Sequence, residues 1–124
     1  MAAPNIVQVA TIIGKTAVQI LSTTSATSVV NNAVSSGKVF KINSVIVANV
    51  DGTSSADITF AINSAANATG TSTNLASTVP VAPDSTLVLV DRASAFYLEE
   101  DKCLLATASA ANDLHVVISY EEIS

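Results

Sequence analysis

The side chains that could take part in catalysis are few in this sequence and lie far apart. His115 is the only histidine, Cys103 is the only cysteine, and no Gly-x-Ser-x-Gly motif is present. A catalytic triad needs its serine in a strained turn beside a histidine and an acid, so these residues predict no nucleophilic site. We therefore expect no catalytic residue. We place His115 on the outward face of the last strand, where it is exposed or at a subunit contact, with a pH-sensitive contact as the alternative.

Two acidic clusters are the other candidates for chemistry: Glu99 to Asp101, and Glu121 with Glu122. We expect them to meet as a solvated rim at one end of the domain. Calcium remains an alternative, because carboxylates from separate turns can converge on it, but the Asp-x-Asp-x-Asp-Gly spacing of a calcium loop is absent. A glycine-rich phosphate loop is absent as well. The sequence therefore predicts no metal site and no cofactor.

The aromatic residues do not favour a carbohydrate site. Sugar-binding sandwiches usually stack sugar rings on flat aromatic surfaces, and this chain has no tryptophan. Phe40 and Phe60 belong to the core by their position in alternating segments, and we expect Tyr97 and Tyr120 to complete that core. Cys103 is likewise expected to be a packing residue within a strand.

These residues sit in short segments that alternate apolar and polar positions along almost the whole chain. Gly, Pro, Asn, Asp or Ser residues separate the segments roughly every ten residues. No helical period extends beyond a turn. This pattern predicts an all-β fold, a single antiparallel β-sandwich of jelly-roll type with about eight strands, and a small closed barrel is the alternative.

The clearest segment lies between Val39 and Val50, and it predicts a long strand with one buried face. Asn49 falls on the opposite, outward parity. Asp51 and Gly52 have the composition of a hairpin turn, so we expect the return strand, Ala56 to Ile62, to pair with the segment before it. The apolar residues that share the buried parity of the first strand are Phe40, Ile42, Ile46, Ala48 and Val50.

The N-terminal segment, Asn5 to Ile13, predicts a strand that stops at Gly14, followed by a second strand from Lys15 to Leu21. We divide the chain there into an arm, residues 1–13, and a sandwich domain, residues 14–124. The arm carries apolar residues on both parities, which is typical of a segment that pairs with a partner's sheet. Its interface candidates are Ile6, Val7, Val9, Ile12 and Ile13.

A polar stretch from Asn63 to Asn74 carries no large apolar residue and predicts the longest exposed loop. Its exposed candidates for contact with another molecule are Asn67, Thr69 and Thr71. The following segment, Leu75 to Val81, contains Pro80, which suits an edge strand because proline cannot donate to the sheet.

The composition limits the classes of partner. Only 12% of the 124 residues are charged, the net charge is −5 and the mean hydropathy is +0.51. Such a surface predicts a protein that covers much of itself with its own copies or a larger partner. The five cations are scattered, which excludes direct nucleic-acid binding, and no segment is long and apolar enough to span a membrane. No basic residue precedes the first apolar stretch, so we expect a protein made and kept in a cytoplasm.

Two stretches resemble a known class of proteins: FKINSVIVANVDGTSSADITFAI and VPVAPDSTLVLVDRASAFYLEEDKCLLATASAANDLHVVISYEEI. With their pattern of strands and turns, the chain resembles small virion structural proteins of tailed bacteriophages, particularly those of cyanobacterial phages, over residues 1 to 124. One departure is that Asp101 stands where the pattern has glycine after Leu-Glu-Glu.

The resemblance implies a non-enzymatic virion protein, most simply a capsid cement or decoration protein that bridges major capsid subunits. The alternative is a module of the tail or fibre, with the exposed loop against a host surface, and a cellular adhesin or pilin-like subunit is a third possibility. The implied partners are the protein itself, as a trimer first and a dimer second, and the major capsid protein or another virion protein. The implied location is the virion, assembled in the host cytoplasm.

Overall fold

The computed structural model describes residues 5–124 and consists of two antiparallel sheets packed face to face. Two single turns of 3₁₀ helix, Ala66–Ala68 and Arg92–Ser94, interrupt the connections. The strands are β1 (Ile12–Ile20), β2 (Thr27–Asn32), β3 (Val39–Asn49), β4 (Ala56–Asn63), β5 (Ser72–Val81), β6 (Thr86–Val90), β7 (Phe96–Leu98), β8 (Lys102–Ala108) and β9 (Leu114–Ile123).

The strand order is that of a jelly roll. Sheet A has the order β1-β9-β3-β6, and sheet B has the order β2-β8-β4-β5. Most neighbouring strands within a sheet are therefore distant in sequence, as in a jelly roll. The short strand β7 pairs with the first half of β3, while β6 pairs with its second half. The predicted sandwich of jelly-roll type is confirmed.

The core lies between the sheets and is filled by the inward side chains of every long strand except β1. Phe60, Ile58, Leu104 and Ile118 are fully buried there, and Phe40 packs its ring against Tyr120 at a centroid distance of 5.2 Å. In the last strand Leu114, Val116 and Ile118 are buried, and Tyr120 is half-buried and packs against the core as expected. Tyr97 does not complete the core as expected: it pairs with Lys41 on the outward side and is 45% exposed.

The predicted hairpin between β3 and β4 is wrong, because the two strands belong to different sheets. The connection across Asp51 and Gly52 leads from sheet A to sheet B. The side chain of Asn49 stabilises the start of this connection. Its amide donates to the carbonyl of Ser54 within the connection and to the carbonyl of Val81 at the end of β5. Asp51 and Gly52 therefore belong to a connection between the two sheets and not to a hairpin within one sheet.

The predicted parity of β3 is correct only for its first half. The register with β9 shifts between Ile42 and Ser44, so an extra residue, Asn43, forms a β-bulge and exchanges the two faces beyond it. Val45 and Val47 are therefore buried, whereas Ile46 and Ala48 lie on the outer face and are half-buried. Because of the same exchange of faces, Asn49 is buried and Val50, which follows the strand, is exposed.

The predicted break at Gly14 is also wrong. Strand β1 runs continuously from Ile12 to Ile20 and pairs with β9 without a register shift, so Gly14 lies inside the strand. Ile12 and Ile13, assigned to the arm, are therefore part of sheet A. Ahead of them, Thr11 exchanges backbone hydrogen bonds with Ser124, and residues 5–10 form no strand. Residues 1–4 of the predicted arm lie outside the described residues.

The predicted loop from Asn63 to Asn74 is shorter than expected, because β4 extends to Asn63 and β5 begins at Ser72. Edge strand β5 contains Pro80, as predicted. Asp101 has a φ of 56°, in the left-handed region that glycine adopts without strain, and its carboxylate accepts a hydrogen bond from the backbone N–H of Ala66. Asp101 thus adopts the left-handed conformation that glycine would favour at this turn, and its side chain also holds the loop that contains Ala66.

Candidate assembly surface

The outer face of sheet A carries an apolar row that crosses four strands. Val18 of β1 is the registered partner of Val117 in β9, Val117 pairs with Ile46 in β3, and Ile46 pairs with Val88 in β6. Val18 and Val88, at the two ends, are 72% and 56% exposed. Because neighbouring strands lie roughly 4.8 Å apart, the row is about 14 Å wide. Such a patch on a soluble domain is typical of a surface that is covered in an assembly.

A second row extends this apolar surface toward one end of the sheet. Ile20, His115 and Ala48 are registered neighbours across β1, β9 and β3. A shallow depression of about 720 Å³ lies at this end, lined by residues that include Val18, Ile20, His115 and Asn112. His115 is half-buried and flanked by apolar side chains, on the outward face as predicted. The rows together form what we call the apolar face: Val18, Ile20, Ile46, Ala48, Val88, His115 and Val117.

The opposite end of the same face is polar. Lys41, Arg92, Ser119 and Glu121 surround a smaller depression, and the Asn43 side-chain amide donates to the Glu121 carboxylate over 3.2 Å. The bulge at Asn43 in β3 causes this division. It exchanges the two faces of the strand, so the polar Lys41 before the bulge and the apolar Ile46 and Ala48 after it all lie on the outer face. The outer face of sheet A thus has an apolar half and a charged half.

The two acidic clusters lie at one end of the sandwich, as expected, but they do not converge. Leu98, before the first cluster, and Glu122, in the second, both pair with Phe40. Asp101 is engaged with the backbone of Ala66, as described above. In residues 5–124 no three His, Cys, Asp or Glu side chains lie close enough to hold a metal ion.

Glu122 is only 7% exposed and forms two ion pairs that the sequence did not indicate. Its carboxylate oxygens lie 2.7 Å from the Lys15 ammonium and 2.6 Å from that of Lys38. The hydrogen bond from Lys15, followed by that from Lys38, lowers the pKa of Glu122, and the same pairing raises the pKa of Lys15. These contacts join β1, β9 and the segment before β3.

The residues proposed for contact with other molecules are mostly exposed. Of the arm candidates, Ile6 and Val7 are exposed, Val9 is half-buried, and Ile12 and Ile13 are exposed on strand β1. The loop candidates Asn67, Thr69 and Thr71 are exposed as well. Two hydrogen bonds nevertheless hold this loop in place. Asn67 donates its backbone N–H to the Asn31 side chain, and Thr69 donates its hydroxyl to the Ala66 carbonyl.

Sequence reasoning missed a set of buried asparagines at strand ends. Asn32, Asn49 and Asn63 are the last residues of β2, β3 and β4, and each is at most 2% exposed. Asn32 donates to the carbonyl of Leu98 in the other sheet, as Asn49 does to that of Val81. Their shared position at the end of an alternating segment is the signal in the sequence. Cys103 is fully buried, as predicted, with its thiol 3.6 Å from the Ala65 carbonyl.

In the described part of the chain, no helix has the length and apolar character needed to cross a membrane. No protein-family description matches the sequence, and no curated protein matches it. A solved structure of similar fold comes from work described as "Bacillus endospore appendages form a novel family of disulfide-linked pili". It superposes with a TM-score of 0.54 at 16% sequence identity, over 92% of this chain and 88% of that chain. At this identity, the likeness establishes a shared β-sandwich fold.

Proposed function

We propose that this chain is a non-enzymatic structural subunit of a virion, acting as a capsid cement or decoration protein that bridges major capsid subunits. The observation that carries the proposal is the apolar face of sheet A. An exposed row of valine and isoleucine side chains suits burial against a larger, rigid surface, where many modest contacts are multiplied over many copies. The resemblance of the sequence to small phage virion proteins supports the same assignment.

The low charge of the chain agrees with this role. The 124 residues include only five basic and ten acidic ones. On the outer face of sheet A, Lys41, Arg92 and Glu121 lie together at one end. The four residues of the apolar row, Val18, Ile46, Val88 and Val117, are uncharged, so the row can be buried without leaving an unpaired charge, which would be costly. The solved structure of similar fold belongs to a pilus, which supports self-assembly as a use of this kind of sandwich. The proposed partners are copies of the chain, as a trimer or a dimer, and the major capsid protein.

The alternative is a tail or fibre module that contacts a host surface. The exposed loop with Asn67, Thr69 and Thr71 favours this alternative, because the hydrogen bonds described above hold it in one conformation. Copy number separates the two roles. Quantitative mass spectrometry of the purified particle is expected to give a ratio to the shell protein near one or a small fraction, and a ratio below about one in twenty would favour the tail or fibre. Absence from particles would overturn both.

A substitution tests the surface itself. Val88→Glu introduces a charge into the apolar row at a position that is exposed in the free protein, so the domain is expected to fold normally but to lose binding to undecorated particles. Val34→Glu is the matched control, because Val34 is 65% exposed in a turn away from this face. Equal particle binding by the two variants would contradict the proposed surface.

A deletion tests the N-terminal segment separately. Removing residues 1–10 leaves β1 and its pairing with β9 intact, whereas removing residues 1–13 would cut into sheet A. We expect the shorter deletion to fold and to bind particles less well if the arm pairs with a partner. Unchanged particle binding would assign the contact to the sandwich alone.

A further inference from the structure

Strand β1 forms an edge of sheet A with unusual properties. It is nine residues long, contains no proline, and pairs with β9 without a bulge. Ile12, Ile13, Val18 and Ile20 are all about half exposed or more, and only Ala17 and Gln19 of this strand are partly buried, with Ala17 packed against the core. A long, regular, apolar edge is a ready template for another strand.

The other edges of the sandwich carry features that oppose such pairing. Strand β2 has a bulge next to Ser28, and the β3–β6 register shifts beside Val45. Strand β5 contains Pro80 and a left-handed residue, Thr78, with a φ of 46°. Bulges and prolines are the usual protection of sheet edges. Among the edge strands of residues 5–124, β1 lacks both, and β7, which also lacks them, is only three residues long.

The backbone of β1 determines which groups a partner strand would meet. Thr11 exchanges hydrogen bonds with Ser124, and Leu21 donates to Leu114, so odd-numbered residues direct their backbone groups toward β9. Because these groups alternate along a strand, the even-numbered residues direct their N–H and C=O groups outward. The outward residues are Ile12, Gly14, Thr16, Val18 and Ile20.

This set is self-complementary about a two-fold axis at Thr16. If β1 lies antiparallel to a second β1 in that register, Thr16 faces its own copy, Gly14 faces Val18, and Ile12 faces Ile20. Every outward residue then stands in a hydrogen-bonded pair. Isoleucine opposite isoleucine at both ends of the outer face adds apolar contact. Displacing the register in either direction leaves outward groups unpaired.

The one charge on β1 fits the same register. Lys15 would face Ala17 of the partner, which avoids two lysines directly opposite each other. Its ammonium is also drawn back toward β9 by the Glu122 carboxylate, 2.7 Å away. Lysine on an edge strand ordinarily opposes pairing, and this ion pair removes that obstacle.

We propose that β1 is a self-association edge at which two copies pair antiparallel about a two-fold axis at Thr16 and merge their A sheets into one. The inference deepens the proposed assembly role and rests on it for its biological setting. The occupant is a second copy because the outward residues match themselves. Dimers of this kind present two apolar faces side by side, since the outer faces of both A sheets become continuous.

Proline scanning tests the edge with little disturbance of the fold. Thr16→Pro removes an outward N–H and no hydrogen bond to β9, so we expect a folded protein whose dimer dissociation constant rises about tenfold or more. Thr16→Ala keeps the backbone donor and should dimerise as the wild type does. Ala17→Pro removes an N–H that points to β9 and is expected to lower the urea midpoint. Sedimentation equilibrium and urea unfolding measure these effects.

Cysteine cross-linking tests the register independently of proline's effect on folding. Two copies of Thr16→Cys would place their Cα atoms about 5.5 Å apart, within reach of a disulfide. Gly14→Cys is the control, because its two copies would lie more than about 13 Å apart. Cys103 is buried and leaves the assay clean. Cross-linking of Thr16→Cys alone supports the register.

Several results would overturn the inference. These are a wild-type protein that stays monomeric up to about 1 mM, a trimer, a Thr16→Pro variant as dimeric as the wild type, or cross-linking of Gly14→Cys as efficient as that of Thr16→Cys. Particle binding that depends on Val88, by a protein that never dimerises, would leave the proposed function standing. A dimer that binds no particle would support this inference and contradict the proposed function.

Discussion

Buried asparagine side chains hold the two sheets together at their ends. Asn49 illustrates the arrangement, since one amide group donates to the carbonyls of Ser54 and Val81 over 3.0 and 2.9 Å while its oxygen accepts from the Asp51 N–H. A satisfied buried amide is a net gain, whereas its removal leaves several backbone groups without partners. Such residues therefore contribute more to stability than their polarity suggests.

We expect Asn49→Ala to lower the free energy of unfolding by about 2–3 kcal/mol, because the buried carbonyl of Val81 and the N–H of Asp51 lose their partners. Asn74→Ala is the matched control: Asn74 is exposed on β5, and its removal should change stability by less than about 0.5 kcal/mol. Urea unfolding of both variants checks this. Similar values for the two would contradict a structural role for Asn49.

Asp101 combines a left-handed backbone with a side-chain contact, and the two contributions can be separated. Asp101→Ala loses the hydrogen bond to Ala66 and keeps a strained φ of 56°, so we expect a cost of about 1–2 kcal/mol. Asp101→Gly loses the hydrogen bond but relieves the strain, and should cost less. Urea unfolding ranks the two, and a glycine variant no more stable than the alanine variant would disprove this account.

Strand β1 depends on Glu122 for part of its attachment to the sandwich. This carboxylate joins Lys15 of β1 to Lys38 before β3, and the pairing lowers its pKa in the folded state. A carboxyl group with a lowered pKa stabilises the fold above its unfolded pKa, near 4.5, and this contribution disappears as the pH falls through the folded value. The edge proposed for self-association is therefore less firmly held in acid.

Glu122→Gln tests this attachment. At pH 7 the variant is expected to unfold at lower urea concentration than the wild type, and at about pH 3 the difference should shrink, because the carboxyl of the unfolded wild type, with its pKa near 4.5, then binds a proton that the ion pairs oppose in the folded state. The comparison contains its own control, since a purely steric effect of glutamine would persist at both pH values. A difference of equal size at pH 7 and pH 3 would contradict the ion-pair explanation.

The strands themselves were largely predictable from the sequence, but their partners were not. The alternation in β4 and β9 indicates one buried face directly, which is why Phe60 was correctly placed in the core and His115 on the outward face. The bulge at Asn43 has no local signature, because asparagine also fits a regular strand, and it reversed the assignment of every residue after it in β3. Asp51-Gly52 has hairpin composition, yet the pairing of β3 is decided by β9, which is distant in the chain.

For the same reason the sequence did not indicate the apolar face. Val18, Ile46, Val88 and Val117 come from four strands, and only the register between those strands aligns them into a row. In the sequence each is one apolar residue in an alternating segment, with nothing to distinguish it from a core residue. The buried Glu122 was likewise indistinguishable from the exposed acids near it.

Most strand pairings in the molecule join distant segments: β1 pairs with β9 and β2 with β8, although the consecutive strands β4 and β5 also pair. Chains dominated by non-local pairing fold slowly, because long loops must close before their contacts form. We expect refolding from urea in milliseconds to seconds, measured by stopped-flow tyrosine fluorescence. Refolding within microseconds would show that local contacts direct folding of this sandwich.

The burial of Cys103 also decides how permanent an assembly of this chain can be. The thiol is buried in β8 and Cys103 is the only cysteine in the sequence, so the folded chain offers no exposed thiol for a disulfide to a neighbour. The pili of similar fold are described as disulfide-linked. If copies of this chain pair as proposed, we expect them to associate reversibly by mass action, so reducing agents should leave the assembly unchanged, whereas dilution should release intact copies that can associate again.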